Sequence, residues 1–135
     1  MNAPSEDIKD LLTFESSAGS STELIFPENI FIGKEPASPN NTVTIYDTPG
    51  YPPQLGLNDK GYEFPSIQIR VRDSSYVNGW DRAEIIKDSL HGRAQVTVNG
   101  TLYSVISCTS GPFFLDWDSK NRVRFVLNFN IQRRR

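Results

Sequence analysis

The chain has 135 residues, which suits one domain over residues 1–135 with a single hydrophobic core. Its 14 basic and 16 acidic residues give a net charge of -2, whereas a dedicated nucleic-acid-binding domain is usually strongly basic. One cysteine excludes an intrachain disulfide. The sequence shows no signal-peptide pattern and no apolar run of the roughly 20 residues that span a membrane, so we expect a protein made in the cytoplasm.

The first predicted element is a short amphipathic helix over residues 6–15. Ser5 precedes it and has a side chain that can cap the first turn. Apolar residues recur at helical spacing and form one narrow stripe: Ile8, Leu11 and Leu12. Farther along, residues 24–33 are rich in Ile and Phe but are interrupted by Pro27, which predicts either one bulged strand or two short strands.

Residues 34–61 are rich in Pro, Gly, Asn and Asp, and predict a long irregular loop with one short strand at residues 43–47. A loop of this length inside a small domain commonly has a function. Tyr46 and Tyr51 lie in it among several prolines, and such stiff side chains suit a contact with another protein. We therefore expect this loop to lie at an interface.

A strand followed directly by a helix forms the centre of the chain. Apolar and polar residues alternate over residues 62–72, which predicts a strand with one face on a core. The spacing then changes to three and four residues and predicts a helix that ends at Leu90. Residues 73–75 can cap its start, and Gly92 suits a left-handed residue after its last turn. The apolar stripe comprises Tyr76, Gly79, Ala83, Ile86 and Leu90, flanked by Trp80 and Ile85.

The last third of the chain predicts antiparallel strands. The dipeptide Asn99-Gly100 lies between two β-rich runs and predicts a tight hairpin turn, whose central residues need positive φ. Residues 110–114 are expected to break the second strand, and residues 116–121 to form a polar turn. The last strand alternates over residues 123–131, and residues 133–135 form a short basic tail. The predicted fold is α+β: a mixed, mainly antiparallel sheet with two helices packed on it and one long loop.

No stretch carries a catalytic or metal-binding signature. His91 has no nucleophile motif beside it and suits the negative end of the predicted helix. Cys108 lies in an alternating strand, where a small buried side chain is usual. Asp116 and Asp118 begin like a calcium loop, but Lys120 occupies the third ligand position and the required Gly and Glu are missing. We therefore predict no catalytic residue, no metal and no cofactor.

Arginines recur on the predicted polar faces of two strands. Arg70 and Arg72 lie on the central strand, and Arg122 and Arg124 lie at the start of the last one. One explanation is ordinary charge that keeps strands from sticking. The other pairs these arginines with carboxylates of an adjacent subunit, such as those of Glu63, Asp81 or Asp88. Together with loop residues, the predicted interface set is Glu35, Tyr46, Tyr51, Arg70, Arg72, Arg122 and Arg124.

Six stretches, in matching order, resemble one protein family. They are FIGKEP (31–36), TIYDTPG (44–50), IQIRVR (67–72), GTLY (100–103), SGPFFL (110–115) and NFNI (128–131). These stretches are similar to the bacteriophage minor capsid proteins that serve as tail terminator, or tail-to-head joining, proteins of long-tailed phages. The resemblance spans nearly the whole chain.

The resemblance implies a structural protein of the virion that is not an enzyme. Members of such a family form a ring, usually a hexamer, on the last ring of the tail tube, stop its growth, and meet a head-completion or connector protein. DNA passes through the hole without being read, which a mildly acidic protein would permit. The alternatives are another phage neck or head-completion protein, a small cytoplasmic enzyme built on Asp and Arg residues, and a nucleic-acid-binding module.

Overall fold

The computed structural model describes residues 1–17, 29–53 and 61–134. Within these ranges lie two helices and six strands. The helices are α1 (Pro4–Ser17) and α2 (Tyr76–Leu90), and the strands are β1 (Ile30–Ile32), β2 (Thr42–Tyr51), β3 (Tyr62–Asp73), β4 (Arg93–Val98), β5 (Thr101–Trp117) and β6 (Val123–Arg134).

The strands form one sheet in the order β1-β2-β3-β6-β5-β4. β1 pairs with β2 in parallel, and the other neighbouring pairs are antiparallel. Helix α2 packs on β3, β5 and β6, whereas α1 contacts β1 and β2 and also β4 at the opposite edge, so the sheet curls around α1. The predicted α+β fold, with a mixed, mainly antiparallel sheet and two helices packed on it, is confirmed.

Alternation along β3 and β6 decides which face of the sheet is buried. The two strands are neighbours, and Ile67 lies opposite Phe129 while Val71 lies opposite Phe125. These side chains are fully buried on the helix side of the sheet, as the period of two predicts. The helices contribute the predicted apolar residues to the same core: Ile8, Leu11 and Leu12 from α1, and Ala83, Ile86 and Leu90 from α2.

The strand-to-helix unit in the middle of the chain has the predicted ends. Ser75 is the N-cap of α2, and its hydroxyl accepts a hydrogen bond from the backbone N–H of Asn78 at 3.4 Å. Gly92 follows the helix with a φ of +83°. Tyr76 differs from the prediction, because it is 45% exposed rather than part of the core. It lies in the first turn of α2, at the end of the sheet, where its ring contacts Phe125.

The start of α1 is fixed by a residue from a neighbouring strand. Ser5 is the second residue of the helix rather than its cap, so this detail of the prediction is wrong. Its backbone N–H and its hydroxyl donate to the two carboxylate oxygens of Asp47 in β2, at 2.9 and 2.7 Å. The first N–H groups of a helix have no partner within it, and a carboxylate satisfies one of them here. This contact joins α1 to β2.

The hairpin between β4 and β5 is confirmed. Asn99 and Gly100 have φ values of +50° and +80°, and Val98 pairs with Thr101 on the two sides of the turn. The predicted polar turn follows β5, where the backbone N–H of Asn121 donates to the carbonyl of Asp118 at 3.1 Å. Both turns were recognisable because their geometry depends on adjacent residues.

The predicted break at residues 110–114 is wrong. β5 continues to Trp117 and stays paired with β6, with register shifts between Cys108 and Asp116. Gly111 has a φ of +106°, and a Cβ atom there would lie 2.5 Å from the carbonyl oxygen of Val126. Bulges therefore absorb the Gly-Pro dipeptide without ending the strand.

The predicted long loop over residues 34–61 is not confirmed. β2 extends over Thr42–Tyr51, includes the expected short strand at residues 43–47, and pairs with β3. Its pairing shifts register between Thr48 and Tyr51, the stretch that contains Pro49 and Gly50. Residues 34–41 contain neither helix nor strand, and residues 54–60 lie outside the described residues.

The two ends of the prediction also need adjustment. β1 covers only residues 30–32 of the predicted strand at 24–33, whose first part lies outside the described residues. Arg133 and Arg134, predicted as part of a basic tail, belong to β6. Arg133 is buried, and its Nε donates to the carboxylate of Glu63 in β3. Arg135 lies outside the described residues.

A buried polar network joins α1 to this end of the sheet. Asp7 is fully buried and accepts hydrogen bonds from the hydroxyl of Tyr103 and, at 2.9 Å, from the side-chain amide of Asn99. Arg133 Nη1 donates to Tyr103 Oη at 3.2 Å and to the carbonyl of Asn2 at 2.9 Å. Burial, with the Asp7 carboxylate, raises the pKa of Tyr103 far above its usual range, so its hydroxyl stays protonated.

Candidate functional site

Six of the predicted interface residues meet on the sheet face opposite the helices, at the end where β3 stops and β6 begins. The alternation of β3 directs Arg70 and Arg72 to this face, and Arg72 lies opposite Arg124 in β6. Residues 35–40 cross the same region and bind the arginines. We call this group the charged cluster; it contains Glu35, Tyr46, Arg70, Arg72, Asp116, Asp118, Arg122 and Arg124.

Arg72 holds the irregular segment before β2 in place. Its side chain is 3% exposed and forms an ion pair with Glu35, with 2.9 Å between Nη1 and Oε1. The same guanidinium donates to the carbonyls of Pro39 at 2.7 Å and Asn40 at 3.2 Å. A planar guanidinium can satisfy three acceptors in this way, whereas a lysine ammonium cannot reproduce the geometry. Arg72 is therefore a structural residue of its own chain.

Arg122 and Arg124 bind two aspartates near the end of β5. Arg122 Nε donates to Asp118 at 2.7 Å, and Arg122 Nη1 donates to the carbonyl of Ala37 at 2.6 Å. Arg124 donates to both carboxylate oxygens of Asp116, at 2.7 and 2.6 Å. The hydrogen bonds from Arg124 lower the pKa of Asp116. Burial raises the pKa of Asp118, but the hydrogen bonds from Arg122 and Lys120 together outweigh this effect. The pKa of Asp118 is therefore lowered.

Arg70 and Tyr46 form the outer part of the charged cluster. The guanidinium carbon of Arg70 lies 5.1 Å from the centre of the Tyr46 ring, within the range of a cation–π contact. Arg70 Nε also donates to the side chain of Gln68 at 3.0 Å. Burial, and then the negative charge of Glu35, raise the pKa of Tyr46. Both side chains are half-buried, whereas Arg72 is almost completely buried, so they lie nearer to the surface.

The charged cluster is satisfied mainly within one chain. Arg72, Arg122 and Arg124 bind carboxylates of their own chain, those of Glu35, Asp118 and Asp116. Of the carboxylates that the sequence suggested for an adjacent subunit, Glu63 binds Arg133 of the same chain. Tyr51 lies apart from the cluster, at the far end of β2, and is 70% exposed. A role of these residues at a subunit interface stays a prediction.

A group of exposed apolar side chains lies beside this end of the sheet. Tyr76, Val77 and Trp80 come from the start of α2, and Phe114 and Trp117 from the end of β5. We call these five residues the aromatic surface; their side chains are 37% to 65% exposed. The Tyr76 ring centre lies 6.3 Å from those of both Phe114 and Trp117, so the group is continuous.

The fold keeps the aromatic surface in place from below. The buried ring of Phe125 packs edge-on against Tyr76 at 4.9 Å and against Trp80 at 5.6 Å. With four aromatic rings about half exposed, the surface presents roughly 400 Å² of apolar area. Single exposed apolar residues are ordinary, but a contiguous patch of that size commonly marks an interaction site. It is therefore a candidate contact surface.

The sequence contained a signal for this surface. Phe113, Phe114 and Leu115 are consecutive in β5, and successive side chains of a strand point to opposite faces. Three consecutive apolar residues therefore cannot all enter one core. The sequence pattern instead predicts a break at residues 110–114, and outside a strand this alternation does not apply. It also places Tyr76 in the core stripe of α2. For these two reasons it does not predict the aromatic surface.

A second candidate surface lies at the opposite end of the sheet. It is an open groove of about 270 Å³ between the end of β2, the start of β3 and the start of α1. We call it the proline groove, after the apolar residues that line it: Pro4, Tyr51, Pro53, Phe64 and Pro65. Asp47, Glu63 and Arg133 also line it, and each of them already binds a group of its own chain.

The residues considered for catalysis have structural contacts. His91 Nδ1 accepts a hydrogen bond from the backbone N–H of Cys108 at 2.9 Å, which ties the end of α2 to β5. Burial raises the pKa of the Cys108 thiol, the opposite of what a nucleophilic cysteine needs. No group of His, Cys, Asp and Glu suited to hold a metal occurs among the described residues. Neither helix in that part of the chain is long and apolar enough to cross a membrane.

The described residues thus define a curled-sheet protein with a charged cluster on one face of the sheet and with candidate contact surfaces at its two ends. The family model described as bacteriophage tail terminator protein matches residues 9–135. The chain belongs to the bacteriophage tail terminator family and has a structural role in the phage tail. No curated protein matches the chain.

Proposed function

We propose that this protein closes the end of the phage tail tube as a ring, stops tail elongation and forms the tail side of the head–tail joint. The observation that carries this proposal is the family match over residues 9–135. The family resemblance implies a ring, usually of six subunits, and a head-to-tail contact closes into a ring when its rotation divides a full turn.

The structure supports a role in protein assembly. The aromatic surface and the proline groove are different from each other, and a ring needs two different patches that meet between neighbouring copies. Edge strand β4 offers a further row of backbone groups on one side of the sheet. These features favour protein partners over a substrate.

The proposed partners are other copies of this chain, the tail tube protein, and the head-completion or connector protein. DNA would pass through the ring without sequence-specific contacts, which suits a chain with a net charge of -2. The protein would then reside in the virion, between tail and head, after synthesis in the host cytoplasm.

Growth of tail tubes in solution tests this function. Purified tail tube protein is allowed to polymerise with and without this chain, and tube lengths are measured by electron microscopy. We expect growth to stop at capped ends, so that tubes become shorter as the chain is added earlier. If tube lengths were unchanged and the chain bound to DNA-filled heads instead, the proposal would be contradicted and a head-completion protein would be favoured.

A further inference from the structure

We propose that neighbouring copies in the ring make contact by seating the aromatic surface of one copy on the proline groove of the next. This inference rests on the proposed function, because it assigns the subunit contact of the proposed ring. It commits to a second copy of this chain as the occupant of both surfaces. The tail tube protein and the connector protein are the competing occupants.

The two surfaces lie where a head-to-tail contact requires them. The proline groove includes Phe64 and Pro65 near the start of β3, and the aromatic surface begins at Tyr76, directly after β3 ends at Asp73. At about 3.3 Å per strand residue, these positions are roughly 30 Å apart. Contacts at opposite ends of one subunit propagate from copy to copy, whereas a two-fold contact would use one patch on both copies.

The chemistry of the two surfaces is complementary. The proline groove presents rigid proline rings and the exposed ring of Tyr51, and aromatic side chains pack well on such surfaces. Its volume of about 270 Å³ lies just below the usual range of small-molecule sites, so it has room for side chains of a partner. Its charged lining residues Glu63 and Arg133 bind each other, which leaves the apolar residues as the main docking elements.

The size of the aromatic surface fits a protein interface of ordinary extent. A standard interface buries about 800 Å² on each partner, with an apolar centre and a polar rim. The roughly 400 Å² of the aromatic surface would supply such a centre. Asp116, which precedes Trp117 in β5 and is 43% exposed in its ion pair with Arg124, would form part of the rim. Aromatic side chains commonly provide most of the binding energy at such centres.

Cross-linking of single-cysteine variants tests the inference. In a Cys108→Ser background, one variant has Val77→Cys on the aromatic surface and another has Tyr51→Cys at the proline groove. Both replaced side chains are at least 65% exposed, so folding should be retained. Each variant alone, and an equal mixture, is incubated with isolated tail tubes and treated with a short bismaleimide. Products are separated by denaturing electrophoresis.

We expect cross-linked dimers in the mixture and at most traces with either variant alone. A protein with both cysteines should give a ladder that ends at the number of subunits in the ring. Self-cross-linking of the Val77→Cys variant, a cross-link from it to the tail tube protein, or a ring on tubes without any cross-link would overturn this assignment. Those results leave the proposed function intact, whereas failure to assemble on tube ends would remove both.

Discussion

At the scale of single residues, the structure separates charges that hold the chain together from those near its surface. Arg72 is almost completely buried and joins β3 to the segment before β2 through three acceptors. Arg70, on the same face of the same strand, is half-buried and binds Gln68 and the ring of Tyr46. Two arginines on the same face of one strand therefore have different roles.

Replacing Arg72 by Met should destabilise the isolated protein by roughly 3 kcal/mol, because it leaves the carboxylate of Glu35 without its closest cation. Arg70→Met is the matched control and should cost about 1 kcal/mol or less. Urea denaturation of both variants measures the difference. Equal stabilities would mean that the buried ion pair of Arg72 with Glu35 contributes little to the stability of the chain.

The pair of Asp116 and Arg124 predicts a dependence of stability on pH. The bonds from Arg124 lower the pKa of Asp116 in the folded state below its ordinary value of 3.8. The stabilisation is then complete above the unfolded pKa and is lost as the pH falls through the lower, folded value.

Asp116→Asn should therefore flatten the loss of stability below about pH 4, because one titrating group has been removed. Thermal unfolding followed across acidic pH checks this. The difference between the two proteins should shrink in about 1 M salt, since Asp116 is partly exposed and its ion pair is screened. If stability fell with pH in the same way for both proteins at low salt, the Asp116–Arg124 pair would not be the source of this pH dependence.

At the scale of secondary-structure elements, local patterns predicted some parts of the fold and failed at others. The alternation in β6 and the Asn99-Gly100 turn were recognisable because they depend on neighbouring residues. β5 beyond Ser110 was missed because Gly111 and Pro112 normally interrupt strands, and the bulges that accommodate them depend on pairing with β6. Long-range pairing decided the outcome there.

Substitution of Gly111 tests this account of β5. Gly111→Ala places a Cβ atom 2.5 Å from the carbonyl oxygen of Val126, at a φ of +106°. We expect a loss of about 2–3 kcal/mol in unfolding free energy, from backbone strain and steric overlap. Gly92→Ala is the control, because its φ is +83° but its Cβ would meet nothing within 4 Å. It should cost about 1 kcal/mol, and a cost equal to that of Gly111→Ala would show that overlap with β6 is unimportant.

In the candidate sites too, contacts between segments that are distant in the sequence were not predicted by local patterns. The charged cluster was anticipated in part, since alternation places Arg70 and Arg72 on one face of β3, and Arg124 joins them because β6 pairs with β3. Their partners were not, because Glu35 and Asp116 reach them only through the fold. The aromatic surface joins the start of α2 to the end of β5, and no local pattern connects these segments.

At the scale of the whole molecule, exposed apolar surfaces at opposite ends of a curled sheet favour assembly from copy to copy. Val77 allows assembly to be separated from folding, because it is 65% exposed and lies in the first turn of α2. A negative charge in the first turn of a helix is favourable, so Val77→Glu should fold normally.

We expect Val77→Glu to reduce ring formation on tail tubes at least tenfold while its melting temperature stays within about 2 °C of the original, since a buried unpaired charge opposes the contact. Ile85→Glu is the matched control: it is also on α2, is 36% exposed and lies outside the aromatic surface. Light scattering measures the mass of each variant in solution, and sedimentation with tail tubes measures its binding to tubes. Together they compare assembly of the Val77→Glu and Ile85→Glu variants. Equal loss of assembly in both would point to a general effect of charge on α2.

The most direct test of the proposed role is the appearance of tail-tube ends. Tubes are incubated with the purified protein, and averaged electron-microscope images of their two ends are compared with those of untreated tubes. We predict one additional ring with an open central hole, at a single end of each tube. Density distributed along the tube wall, or ends unchanged at saturating protein, would contradict a terminator.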